Sequence, residues 1–177
     1  MAKRWMAVAT AVAGVIATAL PAHAADTTTT FSLAAGALSI SAPASHDLGS
    51  GSAGGNVSGQ LGTITVTDNR GALGGSWTAT VSSTDFTTGG GTADETIGKA
   101  QATYWSGAAT ASSGVAAFTP GQLLAANAQT LGTSRTAFSA TGTVGNNSAS
   151  WNPTVTVNIP SSAVAGDYTA TITHSVA

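Results

Sequence analysis

Apolar side chains recur at every second position along much of the chain, and that spacing puts them on one face of an extended strand. In "GQLGTITVTDNRG", Ile64 and Val66 face one way and Thr63, Thr65 and Thr67 the other; Asp68-Asn69-Arg70-Gly71 then reads as a turn. In "SWTATVSSTDF", Trp77, Ala79 and Val81 alternate with Ser76, Thr78, Thr80 and Ser82. In "AGDYTATITHSVA", Tyr168, Ala170, Ile172, His174 and Val176 share one face, and Gly166 turns the chain into this last strand. Shorter strands are expected at Phe31–Leu33 and Leu38–Ser41, with Gly36 between them, and at Ala100–Trp105. "RTAFSATGTVG" predicts a strand that ends in a turn at Gly145-Asn146-Asn147-Ser148. "SWNPTVTVNIP" predicts another, with Val155, Val157 and Ile159 on one face, Pro153 at an edge or bulge and Pro160 as its stop. Gly89–Gly91 reads as a loop, and Gly121–Thr130 is the one stretch suited to a short helical turn.

Roughly seven to nine short strands, punctuated by turn residues and without a helical period, predict an all-β fold. The expected architecture is a single antiparallel β-sandwich, immunoglobulin-like, with one wet face on each sheet. Trp77, Trp151, Tyr168 and Ile172 are the expected core.

The N-terminus has a different pattern. Lys3 and Arg4 precede an apolar run from Met6 to Leu20, which Pro21 breaks; Ala22-His23-Ala24 then fits a small-residue cleavage site. This is the layout of a secretory signal peptide over residues 1–24. The run is about 15 residues, short of the roughly 20 that a membrane span needs. Cleavage leaves 177 − 24 = 153 residues, one domain over 25–177. The expectation is a secreted, extracellular protein with no stable membrane insertion after cleavage.

Charge narrows the partners. Beyond residue 24 only Arg70, Lys99 and Arg135 are basic, against seven acids, for a net charge of 3 − 7 = −4. Nucleic-acid affinity is built from many Lys and Arg contacts to phosphate, so nucleic acid is not an expected partner. There is no cysteine, which removes disulfides, thiolate metal sites and cysteine catalysis.

The ionisable groups that catalysis needs are sparse. His46 and Asp47 are neighbours and point apart on extended backbone; Asp94-Glu95 fall in a loop; no G-x-S-x-G elbow is present. His174 lies on a buried face, where a structural role is expected. No metal or cofactor pattern appears. The expectation is no enzyme, no cofactor and no metal. Thr at every second position in "TITVT", "TVTV" and "TATIT" is what a polar strand face contains.

Two stretches resemble the WxL-domain family of bacterial cell-surface proteins. Trp77-Thr78-Ala79 resembles the first W-x-L motif, and Tyr168 followed by Ile172-Thr173-His174-Ser175-Val176 resembles the second, C-terminal motif. Ala79 stands where the family has Leu, and His174 where the second Trp is expected. The resemblance implies an exported domain attached non-covalently to the cell wall, through peptidoglycan or another envelope glycan, beside other surface proteins. Trp77, Tyr104, Trp105 and Tyr168 are the candidate binding residues; Tyr104 and Trp105 are adjacent, so their side chains face opposite ways. A second reading is a structural subunit that assembles through sheet edges. A third is a hydrolase of glycan or peptide, which requires His46, Asp47 or His174 to meet another carboxylate in a cleft.

Overall fold

The computed structural model describes residues 25–177, so the leader expected over residues 1–24 lies outside the described residues. Residues 25–33 carry no strand, and Phe31 is 91% exposed. The strand expected at Phe31–Leu33 does not form: two apolar side chains offset too little of the entropy of ordering it.

From Ala34 onward the chain is a succession of strands: β1 (Leu38–Ser41), β2 (Asn56–Gln60), β3 (Ile64–Asp68), β4 (Leu73–Ser83), β5 (Phe86–Thr87), β6 (Thr96–Ile97), β7 (Ala102–Trp105), β8 (Ala109–Pro120), β9 (Gln129–Thr130), β10 (Arg135–Trp151), β11 (Thr154–Asn158) and β12 (Ile172–Val176). Every strand pairing is antiparallel. The fold is all-β, as the alternation predicts. Short 3-10 turns occur at Ala93–Glu95, Lys99–Gln101 and Ala125–Asn127, the last within the stretch suited to a helical turn. Among the described residues no helix is long and apolar enough to cross a membrane.

β10 organises the larger sheet. Phe138 has Ala79 of β4 on one side and Pro120 of β8 on the other; Ser148 has Thr67 of β3 and Ser113 of β8. β8 therefore runs along one edge of β10, and β3 and β4 lie end to end along the other. β1 pairs beyond β3, and β12 beyond β4.

This sheet folds over on itself. Phe138 and Trp151 lie on one strand, and their separation along a straight strand would be about 43 Å. Their rings instead stack with centroids 4.9 Å apart and planes 19° from parallel. The bend sits where β10 loses register with β4 and β8, over Thr141 to Ser148. Gly142 and Gly145 take left-handed φ angles there, 62° and 67°. Glycine reaches that region with little strain, whereas other L-residues do not. β8 has its own left-handed residue at the same level, Gly114, where a Cβ would collide with the Asn146 carbonyl oxygen. Gly145–Ser148 is thus a bend inside one continuous strand, not the turn expected from its composition. Turn-forming residues can serve as an irregularity that re-aims a strand without ending it.

A polar cluster braces the bend. Asp68 is buried and accepts two hydrogen bonds from the Arg70 guanidinium, at 2.8 and 3.0 Å. Asn147 donates to Asp68 Oδ2 at 3.1 Å, and its own Oδ1 accepts the Trp77 indole N–H at 2.9 Å. The hydrogen bonds from Arg70 hold the Asp68 carboxyl down at about 2, against the opposing effect of burial.

The smaller sheet has the order β2-β11-β7-β9. The single strand expected over Ser150–Pro160 is split: Trp151 ends β10, and Pro153 stands just before β11. β11 has β2 and β7 on its two sides, so the proline precedes an inner strand and its missing N–H removes no ladder bond. One apolar core joins the sheets, with Trp77, Phe138, Trp151, Ile64 and Val66 from the larger and Tyr104, Val155 and Val157 from the smaller. Trp77 and Trp151 are core residues as expected. Tyr168 and Ile172 are not; they are partly buried and pack on its margin. Both follow the last turn, where one flank of the chain faces solvent.

Candidate functional site

At one end the core is not closed. A cleft of about 870 Å³ opens there, floored by Phe86 of β5, Ile97 of β6, Val157 of β11, and Ile159. One wall is the segment His46–Ala53 and the other is Ala163–Ile172. The sequence builds each wall locally. Asp47 Oδ1 accepts the Gly49 N–H at 2.8 Å, an Asx turn that bends the first segment. A Cβ at Gly59 of β2 would press on Leu48 and come 3.7 Å from His46 Nε2, so glycine there lets the segment lie close to the small sheet.

The second wall is tied by Tyr168. Its hydroxyl lies 3.0 Å from the Val164 carbonyl and 3.2 Å from the Asp94 carbonyl, two acceptors for its one proton. Val164 N–H also donates to Asp94 O at 3.2 Å. The β5–β6 hairpin and the last segment are joined as well by Thr87 and Thr169, which exchange backbone hydrogen bonds of 3.0 and 2.9 Å. The nearby Glu95 carboxylate accepts the Thr92 backbone N–H and hydroxyl, which lowers its pKa. The cleft thus has an apolar floor and a rim of hydroxyls, an imidazole and the carboxylates of Asp47 and Asp167.

A second feature lies beneath the β12 edge. Trp151 Nε1–H donates to Tyr104 Oη at 3.1 Å, and Tyr104 Oη is 3.2 Å from His174 Nε2. The phenol oxygen accepts from Trp151, and the direction of its bond to His174 follows the imidazole tautomer. Burial holds His174 down at about 4 and pushes the Tyr104 phenol well above its ordinary value. His174 of β12 is hydrogen-bonded to Tyr104 of β7 and so ties the last strand of the larger sheet to the smaller one.

The four candidate residues do not form one surface. Trp77 is 1% exposed and Tyr104 is fully buried, so both support the core. Trp105 lies on the opposite face of β7 from Tyr104 and is partly exposed. Tyr168 alone lines the cleft. Ala79 is buried, with Phe138 and Val176 as its cross-strand partners. His46, Asp47 and Asp167 share the cleft, yet no three His, Asp or Glu among the described residues gather closely enough to hold a metal ion. The floor residues Phe86 and Ile97 were not among the expected site residues; each sits in a two-residue strand whose alternation is too short to register.

No protein-family model, no curated protein and no solved structure matches this chain.

Proposed function

We propose that the protein is a secreted, non-catalytic module of the bacterial cell envelope that holds to cell-wall glycan without a covalent bond, with the cleft as its binding site. In this reading it is a divergent WxL-like domain with an immunoglobulin-like sandwich architecture. The observation that carries the reading is the cleft itself. Its volume, about 870 Å³, falls within the roughly 300–1,000 Å³ of ordinary ligand sites. An apolar floor suits the C–H faces of sugar rings, and the rim hydroxyls and carboxylates suit their hydroxyl and amide groups. Asp47 and Asp167 at the rim favour peptidoglycan over phosphate-rich wall polymers, which they would repel. Co-sedimentation with isolated walls and with purified peptidoglycan tests the reading. Saturable pelleting with both is expected; pelleting with neither overturns it.

A further inference from the structure

The structure leaves one long sheet edge bare. β8 is a twelve-residue strand that pairs with β10 on one side and with nothing among the described residues on the other. Its first seven residues, Ala109–Val115, are exposed on both faces. The other edge strands are far shorter: four residues in β1, five in β2 and β12, two in β9. Proteins that keep such an edge single protect it with charge, proline, a bulge or a covering loop. Before Pro120 this one has only the irregularity at Gly114: no charged residue occurs between Lys99 and Arg135.

An apolar row also ends at that edge. Leu73 of β4, Val144 of β10 and Val115 of β8 are cross-strand partners on three adjacent strands, exposed by 86%, 48% and 63%. The row crosses the sheet and stops at the free side of β8.

We propose that β8 is the interface with a second copy of this chain, pairing antiparallel with the partner's β8 about a two-fold axis. The identity of the occupant follows from the edge. A neutral strand of Ala, Ser, Thr and Val carries nothing that repels its own copy, and a two-fold axis makes the patch its own complement. With the axis near Val115, pairing joins two bent sheets into one and brings the two apolar rows together across the seam. β8 itself carries no charged residue, so it offers a polyanion or a basic partner no counterpart of its own.

The chain has no cysteine, so one introduced thiol reports only on its own position. Full-length protein carrying Ser112→Cys, Ser113→Cys, Val115→Cys or Ala117→Cys is oxidised at low concentration beside Thr173→Cys on β12. We expect a disulfide-linked dimer that peaks at one β8 position, the residue nearest the axis. A lysine at another of these exposed positions should abolish it while the thermal transition stays in place. No dimer, equal yields at every position, a β8-to-β12 link in mixed samples, or a dimer that survives the lysine overturns the proposal. Wall pelleting is a separate readout, so this interface and the glycan reading fail independently.

Discussion

Phe138 and Trp151 belong to one strand yet stack with ring centroids 4.9 Å apart, because β10 bends back between them. Two predictions follow from how the bend is made. Gly145 has open space where a Cβ would stand, so Gly145→Ala adds only backbone strain at a φ of 67°. We expect a loss of about 1–2 kcal/mol. Trp151→Ala removes the stack and the indole donor, an expected loss of about 3–5 kcal/mol, comparable with the whole stability of a small domain. Urea titration followed by circular dichroism measures both.

Stability should fall in mild acid. The folded protein holds His174 near 4, below its ordinary value of 6.5. Between those two pH values the unfolded chain takes up a proton that the folded chain refuses, so stability is full above about 6.5 and is lost as pH drops toward 4. The loss is at most about 3 kcal/mol from this group. Asp68, held at about 2 against 3.8, adds a second loss only below pH 3.8. Melting temperature measured across pH 7.5 to 4 in wild type and His174→Gln checks the assignment. The glutamine variant should be less stable at neutral pH and nearly flat across that range.

The last strand should be indispensable. β12 pairs with β4 from Ile172↔Ser83 to Val176↔Ala79, and Ala177 exchanges backbone hydrogen bonds with Thr78. Truncation after Gly166 bares that edge and removes His174 from Tyr104. We expect no cooperative thermal transition. A sigmoidal melt in the truncated chain would count against this account of the edge.

The cleft and the outer face of β7 predict different mutational patterns for wall binding. Ile159→Lys places a charge on the cleft floor, whereas Trp105→Ala alters the far face of the small sheet. If the cleft binds glycan, the first abolishes pelleting and the second leaves it intact. The reverse pattern moves the site to Trp105. Both positions are incompletely buried, and each variant's melt shows whether it still folds.

The clearest alternation in the sequence marks strands with one face inside. Ile64-Val66 and Trp77-Ala79-Val81 are legible for that reason, and all five residues are buried. β8 was illegible because its first half buries neither face, so no periodicity selects it. Gly145–Ser148 reads as a turn in sequence because glycine and asparagine favour one, while the tertiary need to wrap a sheet keeps the strand running through them. The cleft was hidden for a different reason. Its floor brings together positions as distant as Phe86 and Ile159, and spacing along a chain says little about such meetings.

The shared central strand also constrains the order of assembly. β3 and β4 hold residues 64–83, but their partner on one side is β10, which begins at Arg135. Ile64 finds its mate only when Trp151 is present. Loop-closure entropy is spent before such distant contacts stabilise anything, so folding should be slow and concerted. A chain emerging from its N-terminus can settle only local pieces such as the β5–β6 hairpin until β10 has emerged. The centre of the sheet therefore stays unfolded until β10 has been made, which keeps the chain threadable up to that point.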